Sequence, residues 1–86
     1  MKIQLSEPFE RDYRDLPERV QKKVDKALRL LESNPRHPSL NLEKIDSARD
    51  IWSGRVDRNY RFTFQWIPGG MRLRKVGAHQ DAYRSP

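Results

Sequence analysis

Two hydrophobic periods follow one another along the chain. In the first half, apolar residues recur at helical spacing. Phe9, Tyr13 and Leu16 fall at i, i+4 and i+7 behind Ser6, whose hydroxyl suits a helix cap; Glu7 favours the positive end and Pro8 is tolerated in the first turn. Pro17 restarts the chain. Val20, Val24, Ala27, Leu28 and Leu31 then form a narrow apolar stripe among charged residues, which Ser33-Asn34-Pro35 ends. Residues 36–46 are polar, with Leu40, Leu42 and Ile45 as their only anchors, and a partly ordered loop is expected there.

Beyond that segment the period becomes 2. Trp52, Gly54 and Val56 alternate with Ile51, Ser53 and Arg55; after a polar break, Tyr60, Phe62, Phe64 and Trp66 alternate with Arg61, Thr63 and Gln65. Ile67-Pro68-Gly69-Gly70 predicts a turn, residues 71–77 a third strand, and residues 2–5 a short fourth. The expected fold class is α+β: two N-terminal helices on a small, mainly antiparallel sheet of about four strands, in one domain spanning residues 1–86.

Face parity selects the register of the middle hairpin. A two-residue loop at Arg58-Asn59 sets Arg55 against Phe62 and mixes a charge into the aromatic face. A three-residue loop, Asp57-Arg58-Asn59, pairs Val56 with Tyr60, Gly54 with Phe62 and Trp52 with Phe64, with Asn59 expected to take the left-handed conformation. That register also sets Arg55 across from Arg61 on the other face. Like charges so placed repel each other, unless an anion sits between them or an acid such as Asp46, Asp50 or Asp57 neutralises them.

Composition narrows the function classes. The chain has 86 residues, of which nineteen are Leu, Ile, Val or Phe, so its core must be thin and well patterned. There is no cysteine, which excludes a disulfide framework and a thiolate metal site. No signal-peptide pattern opens the sequence and no apolar run approaches a membrane span, so a cytoplasmic protein without a membrane partner is expected. The formal charge of +6 is concentrated: residues 55–86 carry Arg55, Arg58, Arg61, Arg72, Arg74, Lys75 and Arg84 against Asp57 and Asp81. Arginine in that excess suits bidentate contacts to a polyanion, with nucleic acid first. Two histidines far apart and scattered carboxylates show no metal-ligand spacing, and neither a metal nor a small-molecule cofactor is expected.

The WSGRV strand, the NYRFTF strand with its Tyr-Arg pair and the C-terminal VGAHQDAYR, together with the helical LPERVQKKVDKALRLLESNP, resemble the RelE/ParE superfamily of bacterial toxin components over nearly the whole chain. The resemblance implies the toxin of a type II toxin–antitoxin pair that binds the ribosome and cleaves mRNA by attack of a ribose 2′-hydroxyl on the adjacent phosphate. It implies that Arg55 and Arg61 hold the scissile phosphate, that His79 protonates the leaving oxygen, and that Tyr83 packs on a message base. Histidine exchanges protons near neutral pH and an aromatic ring stacks on bases, so the chemistry of these residue types agrees. Arg58, Arg72, Arg74, Lys75 and Arg84 are expected to add phosphate contacts. The implied partners are a cognate antitoxin, the ribosome and mRNA.

The sequence also departs from that pattern. Where some relatives have a lysine pair in the first strand of the hairpin, this chain has Ser53 and Gly54, which leaves Glu43, His37 or the ribosome itself to supply the general base. A gyrase-binding toxin of the ParE type without RNase activity, or an inactive partner-binding relative, are the alternative functions.

Overall fold

The computed structural model describes residues 1–86. The elements run β1 (Lys2–Leu5), α1 (Glu7–Asp15), α2 (Glu18–Ser33), a 3-10 turn (Pro38–Leu40), β2 (Glu43–Asp46), β3 (Ile51–Arg55), β4 (Tyr60–Ile67), β5 (Gly70–Ala78) and α3 (His79–Arg84). The five strands make one sheet in the order β1-β5-β4-β3-β2, antiparallel throughout except for the β1–β5 pair. The fold class is α+β as expected, with five strands and three helices in place of about four and two. No helix is long and apolar enough to cross a membrane.

Local chemistry accounts for the N-terminal half. Ser6 caps α1 by accepting the Phe9 amide at 3.2 Å, while Glu7 and Glu10 in the first turn and Arg14 in the last suit the helix dipole. The stripe of α2 buries Val20, Val24, Ala27 and Leu31, which join Phe9, Phe62, Phe64, Met71, Leu73 and Val76 in the core. Those strand residues all belong to one face, so α1 and α2 cover it and the alternating partners face outward.

The hairpin β3–β4 has the register that face parity selects: Trp52 opposite Phe64, Gly54 opposite Phe62, Arg55 opposite Arg61. Its loop is built differently from the expectation. Asn59 is not left-handed; the left-handed non-glycine residues are Asn41 and Asp50. The Asp57 carboxylate instead accepts the amides of Asn59 at 2.8 Å and Tyr60 at 2.9 Å, and the Tyr60 carbonyl accepts those of Val56 and Asp57. An aspartate turn does the work assigned to backbone freedom.

Three features shape the outward face. β2 falls within residues 36–46, read above as a loop, and pairs with β3 as an edge strand whose register shifts between Lys44 and Asp46. A bulge in β5 lets Lys75 pair with Thr63 and Leu73 with Phe64, so Arg74 is left unpaired and its side chain is re-aimed. Finally α3 lies across β4 and β5 on the outward face with Ala82 buried, and the C-terminal segment is tied to the sheet where Tyr83 meets Ser53 and Thr63 donates to the Pro86 backbone oxygen. β1 pairs with β5 only at Gly70–Leu73; further along, Asp12 of α1 accepts the Val76 amide at 3.1 Å, which satisfies the exposed edge.

Candidate nucleic-acid interface

Arg61 and His79 are anchored on the same four-residue turn. Arg61 Nη1 donates to the carbonyls of Asp57 at 2.6 Å and Tyr60 at 3.1 Å, and the His79 amide donates to the Asn59 carbonyl at 2.8 Å. The strand register supports this proximity, since Tyr60 lies opposite Ala78 and Arg61 opposite Gly77, two residues before His79. The His79 side chain is exposed, and its ring packs on that of Tyr83 one helical turn later, with centroids 4.3 Å apart and planes tilted by 51°. Six residues of helix with no side-chain cap would not hold alone; packing of Ala82 on the sheet and the bonds made by Tyr83 hold α3.

Tyr83 is half-buried, with its hydroxyl between two groups distant in sequence. It donates to Glu43 Oε1 at 3.0 Å and lies 3.1 Å from Ser53 Oγ. Ser53, unremarkable in the sequence except as a missing lysine, is therefore a buried partner of the aromatic residue. Glu43 reaches it from the unforeseen strand β2. Of the two side chains considered for proton abstraction, Glu43 thus stands on the outward face beside Tyr83. His37 does not: its Nδ1 accepts from Ser39, and it borders an apolar groove with Trp52 and Trp66 at the other face.

None of the three acids considered for neutralising the Arg55–Arg61 pair does so with its carboxylate. Asp46 binds Arg49, Asp50 binds Lys44, and Asp57 binds Lys23 at 3.1 Å. Of the seven cations after residue 54, only Lys75 meets a side-chain carboxylate, that of Asp12 at 3.3 Å. Lys75 apart, the excess charge found in the sequence is thus not neutralised by side-chain carboxylates.

The expected site residues separate into three groups. Arg61, His79 and Tyr83 form an open surface around the turn and α3. Arg55 and Arg58 border a groove of about 400 Å³ with Lys23 and Lys26 of α2. Arg72, Arg74, Lys75 and Arg84 are gathered at the other end of the outward face.

Asp57 holds the turn on which the first group rests. Partial burial works against its charge, but the Asn59 amide, Lys23 and the Tyr60 amide together outweigh it and hold the carboxyl below its ordinary value of 3.8. A carboxyl with a lowered folded-state pKa stabilises the fold above the unfolded-state value and loses that contribution as pH falls through the folded one. Asp57→Asn is expected to lower stability by about 1–2 kcal/mol at pH 7, since a neutral amide binds Lys23 and the two amides less well. The deficit relative to wild type should begin to shrink below about pH 4, where the unfolded chain takes up a proton at residue 57, and close only as pH falls through the lower folded-state value. Urea midpoints of both proteins between pH 7 and pH 3 check this, and a deficit that stays constant with pH would contradict it.

No protein-family model matches the sequence, and no curated protein matches it significantly. Solved structures do match in fold. YafQ from E. coli strain BL21(DE3) superposes with a TM-score of 0.75 at 16% identity, over 93% of this chain and 94% of that one. The YoeB/ParE toxin from Agrobacterium tumefaciens gives 0.73 at 19% identity, over 92% and 99%. A chain of the RelB–RelE antitoxin–toxin complex from Methanococcus jannaschii gives 0.74 at 19% identity, over 96% and 99%. Over nearly its full length, then, this chain has the fold of the YafQ, YoeB/ParE and RelE toxins.

Proposed function

We propose that this protein is the toxin of a type II toxin–antitoxin pair and acts in the cytoplasm as a metal-independent endoribonuclease on mRNA bound to the ribosome. The observation that carries the reading is the group of Arg61, His79 and Tyr83 around one turn, flanked by arginines that no carboxylate neutralises. Such a surface attracts RNA and presents a proton donor beside a phosphate-binding guanidinium.

In the reaction the ribose 2′-oxygen bonds to phosphorus as the bond from phosphorus to the 5′-oxygen breaks, leaving a cyclic phosphate and a 5′-hydroxyl. Arg61, with Arg55 across the strand, stabilises the charge that grows on the phosphate. His79 gives its proton to the leaving 5′-oxygen, and Glu43 is the carboxylate available to take the 2′-hydroxyl proton. Tyr83, fixed by Glu43 and Ser53, offers its ring to a base.

Antitoxin-bound structures with this fold, among them DinJ–YafQ and RelB–RelE, support an antitoxin as the partner of this chain. Its natural place is over the free arginines, where it would exclude RNA.

The deciding experiment supplies the purified chain to translating ribosomes and maps message ends by primer extension. Discrete new 5′ ends on translated message, with none on naked message, are expected. Intact message together with inhibition of DNA gyrase in vitro would replace this reading with the gyrase-binding one. Normal growth after strong expression without an antitoxin would leave only a partner-binding module.

A further inference from the structure

Six cations border one open basin of about 620 Å³ on the outward face. Arg11 comes from α1, Arg49 from the turn between β2 and β3, Arg72, Arg74 and Lys75 from β5, and Arg84 from α3. The basin includes neither Arg61, His79 nor Tyr83, and shares no residue with the groove beside Arg55 and Arg58.

The cations are brought together by two local features. The bulge turns Arg74 so that it donates to Gln65 Oε1 at 3.0 Å and to the Pro86 backbone oxygen at 3.1 Å. The cap residue Ser6 donates its hydroxyl to the Arg74 carbonyl, which fixes the start of α1, and with it Arg11, beside β5. Arg49 is paired with Asp46 and Lys75 with Asp12, whereas the guanidinium groups of Arg11, Arg72 and Arg84 have neither a carboxylate nor a hydrogen-bond partner in the protein. Crowding like charges weakens a small fold. Guanidinium forks bind phosphate oxygens in pairs, and a polyanion would turn that crowding into affinity.

The lining decides which polyanion. Apart from Pro8 and Pro86 no apolar side chain contributes to it, so it has no aromatic ring on which a base could stack and little to bury the apolar face of a peptide helix. Its cations come from four separate elements, α1, β5, α3 and the β2–β3 turn, which the sheet order sets beyond β4 from β5, a spread that suits successive phosphates better than a single one. We propose that this basin is a second RNA-backbone site, separate from the His79 end, that grips phosphodiester groups without reading bases. The proposal rests on the RNA-directed reading above only in preferring RNA to other polyanions.

The test uses the full chain and a labelled uridine hexanucleotide, with anisotropy for affinity and amide chemical shifts for location. Shifts are expected at Ser6, Arg72, Arg74 and Arg84, and a cytidine hexanucleotide should bind equally well. The double variant R11E/R72E, altered at two exposed positions, is expected to bind at least ~10-fold more weakly and to reduce the slope of log affinity against log salt by about 1.4, two single-strand contacts at about 0.7 each. R55E/R58E should leave the basin shifts in place. Binding by a folded R11E/R72E within two-fold of wild type, or shifts confined to Arg61 and His79, would overturn the proposal. So would a hexaglutamate peptide that gives the same shifts with equal affinity, which would mark the basin as a protein contact. Because the readout is binding and not cleavage, a chain that cuts no message can still pass, and one that cuts message can still fail.

Discussion

His79→Ala is expected to lower message cleavage on translating ribosomes by about 10²–10⁴-fold, the range general acid catalysis usually supplies, while the protein stays folded. The imidazole is exposed and its only ring contact is with Tyr83, and the backbone bond from residue 79 to Asn59 survives the substitution. Arg61→Ala should lose about 10²–10³-fold, as other groups that stabilise charge in a transition state do. Its guanidinium also ties the turn through the Asp57 and Tyr60 carbonyls, so Arg61→Ala carries a modest stability cost that His79→Ala does not. Arg61→Lys separates the two effects: it keeps a cation but not the planar fork, and should recover little cleavage. Tyr83→Phe keeps the ring and loses only the bonds to Glu43 and Ser53, so its effect should be smaller than that of Tyr83→Ala. Cleavage end-mapping with thermal melts of each variant checks the series. Full cleavage by both alanine variants would remove these residues from the chemistry.

The order of these elements was legible in the sequence because each carries its period in plain view. The stripe of α2, the Ser6 cap and the hairpin register all follow from side chains that must lie on one buried face, and a slip of one residue would have turned Phe62 and Phe64 into solvent. β2 was hidden for the opposite reason. Glu43, Lys44, Ile45 and Asp46 show no alternation, and the strand exists through backbone bonds to β3 that any sequence can make. α3 was hidden because Ala82 is its one buried residue, and its formation depends on a sheet face assembled from residues far earlier. The site inherits both gaps. Glu43 and Ser53 meet Tyr83 across 40 and 30 positions, and nothing local marks either as its partner. The free charge, by contrast, could be counted in advance. Only the structure divides it between the His79 end, the Arg55 groove and the basin around Arg72.

Gly54 is the position where fold and site constrain each other most strongly. The Phe62 ring lies directly over its α-carbon, so a β-carbon at residue 54 would overlap ring atoms of a fully buried side chain that cannot swing away. Gly54→Ala is therefore expected to destabilise the protein by about 1–3 kcal/mol or more through overpacking, although alanine is ordinarily harmless in a strand. Phe62→Ala should cost about 3–5 kcal/mol by opening a cavity in the middle of the core. For 86 residues, total stability of about 4–13 kcal/mol is ordinary, so either change removes a large share of it. The discriminating measurement is the double-mutant cycle. Phe62→Leu shortens the side chain that fills the space over residue 54, so Gly54→Ala should cost markedly less in that background, a coupling of about 1 kcal/mol or more between residues in direct contact. Additive losses in urea melts would mean that the ring moves aside freely. The same geometry leaves no room for a long side chain at either position: residue 54 faces the core beneath Phe62, and residue 53 is buried against Tyr83. A lysine at either place would have to displace the packing that sets the hairpin register, and with it the turn on which Arg61 and His79 are mounted.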